Sequence, residues 1–399
     1  MTHILPRTPK AYYRLGLNLF FFILGLNFAS WASRIPDVQS ALGLNDAQLG
    51  TALFAAPLGQ LPCMLVAGVL INRFGSLTIL AFGLTLYSGA LVCMGLAASF
   101  WQLAAGLFCF GIGGNLFDLA INTQAVGLER IYRHSIMSSF HGLWSLGGVA
   151  GGLLGTLLAS LRVTAPQHFI GIAVLSVLTY FLFRSWLLPR DVPTQLKRTR
   201  DMPQVRIKPR LRPDLMLCLL GVIGFCCMSV EGTMYDWNAV YFATVVQAPQ
   251  ELIRLGYIIC MISMVTGRLL ADGLITRFGY AGVLKGSALC MCSGLTLFII
   301  QDGLALSALA SALTGFGMAS GVPICFSLAG KSRHVSPSIA ISMVVFLSFW
   351  GFMLCPPVIG HLSHAFNLRL ALIPVAILSL IVFLVAPLLA RQFRRYKTA

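Results

Sequence analysis

Asn115, Asp118 and Asn122 recur at i, i+3 and i+7 inside a long apolar run. At helical periodicity they share one face. A carboxyl flanked by two amides can hold a proton and can bind hydroxyl groups. Asp118 stands 11 residues before Glu129, so it lies roughly 16 Å from the polar end of its run at ~1.5 Å per residue. An ionisable group at such depth must face protein or a watery cavity, because lipid contact costs on the order of 3 kcal/mol. Counting from the turn near Tyr132 sets His141 level with Asn122 and Ser145 level with Asp118 on the next helix. Asp118 and His141 then stand about one turn apart. A carboxyl whose proton affinity is set jointly by burial and by an imidazole can load a proton on one side of a membrane and release it on the other. Asp118 and His141 are therefore the expected proton-coupling pair. The alternative is a structural Asp–Asn hydrogen-bond cluster.

A second set falls at i, i+4 and i+7: Asn27, Trp31 and Arg34. A third comprises Glu231, Asp236, Trp237 and Asn238. Indole stacks on the C–H face of a carbohydrate while amides and carboxylates take its hydroxyls, so Trp31, Trp144 and Trp237 are candidate cavity residues. The same aromatic–amide lining suits drugs and nucleosides, and tryptophan also belongs to interfacial belts, which suits Trp101 and Trp186 better. The expected solute contacts are Asn27, Trp31, Asn115, Asn122, Trp144, Ser145, Glu231 and Trp237. No phosphate-binding glycine loop, metal-ligand spacing or nucleophile–base pair is present, so neither ATP use nor enzyme chemistry is indicated, and no cofactor or metal is expected.

The elements that carry these residues follow from composition. Of 399 residues 57% are apolar and 10% charged, against about 25% charged in soluble domains. Most of this surface must meet hydrocarbon. A bilayer span needs roughly 20 apolar residues. Such runs fall near 14–36, 47–70, 77–97, 101–128, 136–160, 167–188, 215–242, 253–275, 280–301, 304–329, 337–360 and 368–390. The predicted fold class is an all-α membrane protein of twelve transmembrane helices in two six-helix bundles, 1–188 and 214–399, joined by the basic, Pro-rich segment 189–213. The net charge of +16 sits in short clusters between runs, which is the positive-inside pattern rather than a nucleic-acid footprint. Arg7, Lys10, Arg14, Arg73, Arg130, Arg133, the linker, Arg277, Lys285, Lys331, Arg333 and the Arg391–Lys397 tail fall on one side; Arg34, Arg162, Arg254 and Arg369 fall on the other. Both termini are therefore expected in the cytoplasm. The first run is too long for a signal-peptide core. All eleven cysteines lie in apolar runs and read as small buried hydrophobes.

The chain repeats itself. Residues 67–80, AGVLINRFGSLTIL, and 271–284, ADGLITRFGYAGVL, agree at seven of fourteen positions, displaced by 204. Parallel repeats are a known plan of secondary transporters, with the solute near the midplane between halves. The displacement sets Arg34 level with position 238, near the outer surface. An outer gate is expected in which Arg34 pairs with Asp236 or Glu231 and the pair breaks when the halves rock; the alternative is snorkelling to the headgroups. Arg268 and Asp272, at i and i+4, are expected to clamp the cytoplasmic ends together with Arg277. Pro57, Pro62, Pro356 and Pro357 predict kinks.

Twelve spans, a basic central loop and the Arg-Phe-Gly turns at 73–75 and 277–279 resemble the major facilitator superfamily. Ala29-Ser30-Trp31-Ala32-Ser33-Arg34 with Pro36, Asp118 with Ala120-Ile121-Asn122, His141-Gly142-Leu143-Trp144-Ser145-Leu146-Gly147, Glu231-Gly232, Asp236-Trp237, Gly267-Arg268 and Pro356-Pro357 with Gly360 resemble its YbjJ-type branch, related to fucose–proton symporters. The resemblance implies rocker-switch alternating access in a bacterial inner membrane and matches Asp118 to the helix-four acid of the fucose-type proteins. It also implies that Gly147, Gly151 and Gly155 pack helix five on helix eight. Asn72 stands where the superfamily's gating loop usually has Asp, beside Arg73, and Ser76 and Leu77 stand where basic residues are usual. Ala32 replaces the helix-one acid. The expected function is proton symport of a small polar solute, carbohydrate-like in the first instance. Proton-antiport efflux of drug-like or metabolic compounds is the alternative, and a non-transporting sensor or scaffold the second. Partners are the solute, protons and the lipid bilayer, with the chain acting as a monomer.

Overall fold

The computed structural model describes residues 9–132, 136–189, 215–331 and 337–398. The basic linker from residue 190, Arg133 and Arg333 lie outside the described residues, as do the tail side chains beyond Gln392. Among the described residues every regular element is helical: α1 (Lys10–Leu42), α2 (Asp46–Leu53), α3 (Ala55–Phe74), α4 (Ser76–Gly95), α5 (Phe100–Tyr132), α6 (Met137–Ser160), α7 (Ala165–Phe183), α8 (Leu215–Thr244), α9 (Leu255–Ile300), α10 (Leu304–Met318), α11 (Gly321–Ala329), α12 (Pro337–Ala365), α13 (Leu368–Ala371) and α14 (Ile373–Thr398). In hydrocarbon each backbone N–H and C=O must find its partner within the segment, which leaves the helix as the form such apolar runs take.

Ten of the described helices are long and apolar enough to cross a membrane, or eleven if the bent pair Asp46–Met64 and Val66–Phe74 is one span. The pair is bent by 57°, just past Pro62. α9 is 46 residues long, about 69 Å at ~1.5 Å per residue, or twice the ≈30 Å hydrocarbon core. It breaks at Gly279 (φ 70°, ψ 169°), and the predicted runs 253–275 and 280–301 lie on its two arms. Gly75 (φ 83°, ψ 150°) separates α3 from α4 in the same way. These are the two Arg-Phe-Gly turns. Only glycine reaches that backbone region without steric cost, so the repeat is geometric as well as sequential. Displaced by 204, the start of α5 at Phe100 meets that of α10 at Leu304.

Short polar segments between helices supply the caps. Asn45 accepts from the Gln48 backbone N–H at 2.9 Å, and the Asn45 N–H donates to Gln48 Oε1 at 3.0 Å, a reciprocal cap for α2. At the start of α7 the Thr164 N–H donates to Gln167 Oε1 at 3.0 Å. A reciprocal pair satisfies two of the orphan donors at a helix start.

The chain forms two compact units. The first draws on residues within Met1–Trp31, Ala55–Leu154 and Val163–Arg210; the second on Ala32–Phe54, Gly155–Arg162 and Leu211–Ala399. α1 thus contributes to both, its segment from Ala32 onward belonging with α2 and the helices from α8 on. In the first unit, α6 lies directly on α1. A side chain at Gly147 would overlap the Phe22 carbonyl, and one at Gly151 would meet Ala29 and Leu26. These two glycines of helix five face helix one. In the second unit α2 rests on α12, where Gly50 and Gly360 face each other and a side chain on either would strike the other's backbone. Asp46 accepts from Gln39 Nε2 at 2.9 Å and from Ser363 Oγ, which ties the end of α1, α2 and α12 together.

Candidate functional site

Asp118 occupies the middle of α5, a 33-residue helix. Asn122 Nδ2 donates to its Oδ1 at 2.9 Å and to its backbone carbonyl at 2.8 Å. Among the described residues Asp118 forms no salt bridge. One turn back, Asn115 Oδ1 is buried without a hydrogen-bond partner. The face predicted from the spacing therefore carries a carboxyl held by one neutral amide and a second amide with unused capacity. Close packing holds the opposite side of α5 against α4: a side chain on Gly83 would strike α5 and one on Gly113 would strike α4. On α6, Ser145 Oγ donates to the His141 carbonyl at 3.1 Å. The His141 ring is exposed and meets Phe21 edge-on at 5.5 Å. The contact seen at Asp118 is thus the one to Asn122.

Several expected solute contacts turn inward instead. Asn27 is fully buried. Its amide donates to Ser176 Oγ and to the Ile23 carbonyl, both at 2.9 Å, and its carbonyl accepts from Ser88 Oγ at 3.3 Å. Its bonding capacity goes into joining α1, α4 and α7. Trp31 is buried and lies 6.4 Å from the Phe169 ring of α7. Trp237 is 1% exposed, and the cavity beside it is ≈10 Å³, the size of about one water. Trp144 is the one of the three that keeps partial exposure, beside Phe28 at 6.2 Å. Periodicity sets the face of a helix; it does not say whether that face meets a cavity or a neighbour.

The charged residues of the second unit pair otherwise than expected. Arg34 meets Asp37 at 3.6 Å, one turn along the same helix, rather than Asp236 or Glu231. Asp37 also takes a charge-assisted bond from Arg254, whose Nε donates to the Ser33 carbonyl at 2.8 Å. Arg34 and Arg254 are 2% and 1% exposed. Asp236 is half-buried and forms no salt bridge among the described residues. Sequence reasoning missed Asp37; its i+3 spacing from Arg34 was the available signal.

Arg268 does not pair with Asp272. Its guanidinium reaches Glu231 Oε1 at 3.3 Å, and the same oxygen accepts from Tyr235 at 2.6 Å. Asp272 is exposed. At the two repeat turns, Arg277 stacks over Phe278 and Arg73 over Phe74, each at 5.3 Å, and Asn72 beside Arg73 is exposed.

Long apolar helices, a duplicated turn and charges held at mid-depth define a class of membrane architecture, and comparison with known families decides which. The profile of the Major Facilitator Superfamily matches residues 17–338. This chain belongs to the Major Facilitator Superfamily. An uncharacterised MFS-type transporter of Yersinia pestis is 30% identical over 384 residues, covering 94% of this chain and 95% of that one. The crystal structure of a point mutant of the nucleoside transporter NupG superposes with a TM-score of 0.78 at 15% identity, over 96% of this chain and 100% of the other. That of a D-xylose–proton symporter does so with a TM-score of 0.69 at 17% identity, over 95% and 97%. As a superfamily member the chain is a multi-pass membrane transporter.

Proposed function

We propose that this superfamily member is a secondary transporter that moves a small polar solute by proton-coupled alternating access, with Asp118 as the proton site. The observation that carries the reading is Asp118 itself: a carboxyl at mid-helix, bonded to a neutral amide, with no cation paired to it among the described residues. A carboxylate there is costly and its protonated form is not, so the group suits a proton that is loaded and released in turn. Asn115, with its unpartnered buried carbonyl, and partly exposed Trp144 supply polar and aromatic contacts for a solute. One structural neighbour is a D-xylose–proton symporter, which supports the same class of process. The reading places twelve spans in two halves, 1–188 and 214–399, in a bacterial inner membrane. Both termini lie in the cytoplasm and the protein acts as a monomer. Asp37, Arg34 and Arg254 then form the gate at the outer face.

A thermal-shift screen of sugars, nucleosides and drug-like amines identifies a stabilising solute. Proteoliposomes carrying a trapped pH indicator then show internal acidification when that solute is added outside. Asp118→Asn keeps the thermal shift and loses the acidification. Solute flux with no accompanying proton movement in the parent protein would rule the coupling out; alkalinisation would assign efflux by antiport.

A further inference from the structure

Arg268 has more hydrogen-bonding capacity than its surroundings use. A guanidinium carries five N–H donors in a planar fork. Here one terminal nitrogen donates to Glu231 Oε1 at 3.3 Å, and Nε is buried with no partner. Charge-assisted bonds are normally 2.7–2.9 Å, so this one is long. Its acceptor is also shared, since Tyr235 donates to the same Glu231 oxygen at 2.6 Å. An unpaired buried donor of a cation loses its hydration with nothing in exchange. The fork is built for a better acceptor than the one it has.

The position limits what that acceptor can be. Arg268 sits near the middle of the first arm of α9, between Leu255 and the break at Gly279. The exposed apolar stripe through the middle of that arm is Ile262, Leu269 and Leu270, and Phe278 is exposed at its end beside the turn. At about 100° per residue, this stripe lies more than a quarter-turn round the helix from Arg268. Arg268 shares its own face with Tyr257, Met261 and Met264, all buried. Its side chain is nevertheless 31% exposed, on a side of the helix turned away from Ile262, Leu269 and Leu270. The titratable groups that interact with Glu231 are Tyr235 and Cys227 on α8 and Cys260 on α9; next to these stand Tyr257 on α9, Cys325 on α11, and Cys226 and Asp236 on α8, with Cys355 of α12 beside the last two. Thiols and phenols are ordinarily neutral at pH 7. Among the described residues the charged groups are therefore the Arg268–Glu231 pair and, farther along α8, Asp236.

We infer that Arg268 is the anchor for a solute that carries a carboxylate, and that the solute displaces Glu231 from the fork. The inference rests on the proton-coupled reading above and adds the solute class. A bidentate carboxylate takes the Nε and Nη donors together, the geometry the guanidinium fork favours. Glu231, left without its cation in a desolvated place, takes one proton from water. The balance closes: guanidinium plus Glu231 carboxylate is neutral before, and guanidinium, bound carboxylate and protonated Glu231 are neutral after. Tyr235 holds Glu231 in either state through its hydroxyl.

The test uses purified full-length protein in detergent, with glucuronate and glucose as a matched pair differing in one carboxylate, and lactate as a minimal hydroxy acid. Glucuronate raises the melting temperature more than glucose does, and its addition to weakly buffered protein takes up about one proton per chain. Arg268→Gln weakens glucuronate binding by about 10- to 100-fold, the equivalent of one charge-assisted contact. Should that variant fold poorly because Glu231 is left unpaired, the neutral pair Glu231→Gln/Arg268→Gln serves in its place and also binds no carboxylate. Glu231→Gln alone binds glucuronate without proton uptake. Asp118→Asn keeps both the binding and the uptake while losing gradient-driven transport, so failure of the Asp118 reading and failure of this one are separate results. Equal shifts with glucose and glucuronate, or no shift and no proton uptake with either carboxylate at millimolar concentration, overturn the inference. So would carboxylate binding that survives Arg268→Gln.

Discussion

Asp37→Asn tests the charge cluster at the far end of α1. The substitution keeps side-chain volume and removes one negative charge that two guanidiniums share. Arg34 and Arg254 are almost fully buried, whereas Asp37 is 26% exposed. Removing one member of a buried ion pair costs about 3–5 kcal/mol, and the partial exposure of Asp37 puts this case at the low end, about 3 kcal/mol. At 1.4 kcal/mol per tenfold, the population in which the cluster is apart rises by about two orders of magnitude. Hydrogen exchange reads this directly, because amides protected by the closed cluster exchange through its opening. Asp46–Leu53 and the start of α9 should exchange about 100-fold faster in the variant. The double variant Asp37→Asn/Arg254→Gln should recover most of the protection, since removing both members leaves less uncompensated charge. An exchange pattern in Asp37→Asn indistinguishable from that of the parent would show that the cluster does not hold this end shut.

Gly75→Ala and Gly279→Ala should each lower unfolding stability by roughly 1–3 kcal/mol, because a Cβ is strained at the positive φ of either turn; chemical denaturation in detergent measures it, and an unchanged midpoint would contradict the geometry. Asn27→Leu breaks the bonds to Ser176 and Ser88 and should cost roughly 1–3 kcal/mol, seen as a lower melting temperature. The surviving protein should bind its solute with unaltered affinity, and a loss of affinity without a loss of stability would return Asn27 to the solute site.

What the sequence made legible was what composition and periodicity control. Apolar runs longer than a bilayer is thick have one backbone solution, so the helices fall where the runs do. The duplicated Arg-Phe-Gly steps mark turns because glycine alone accepts the required φ. The Asp118 face was legible for the same reason: three polar residues at i, i+3 and i+7 share a side whatever surrounds them. Partners across helices were not legible. Arg34 had several acids within plausible reach, and the nearest along its own helix, Asp37, took it together with Arg254 from a distant part of the chain. Arg268 had an acid four residues on, yet its guanidinium meets Glu231 of another helix. Trp31 and Trp237 carry the right chemistry for a sugar, but neighbouring aromatic and aliphatic side chains fill the space beside them.

The repeat gives these assignments a common logic. Displaced by 204, Asn27 corresponds to Glu231 and Arg34 to Asn238. In each pair one position is an amide and the other an ion. Asn27 joins three helices of its own unit through neutral bonds, and Asn238 donates to Ser311 Oγ of α10 at 3.2 Å. Glu231 and Arg34 instead hold charged partners, Arg268 and Asp37. A neutral amide is the less costly way to tie helices together in a medium where unpaired charge is expensive. An ion at the matching place is justified by an interaction that must later be exchanged for another. On this argument the stability of the amide positions and the function of the charged ones should separate. Neutralising Glu231 together with Arg268 should leave the fold intact and abolish carboxylate binding, whereas replacing Asn27 should loosen the fold and leave binding alone.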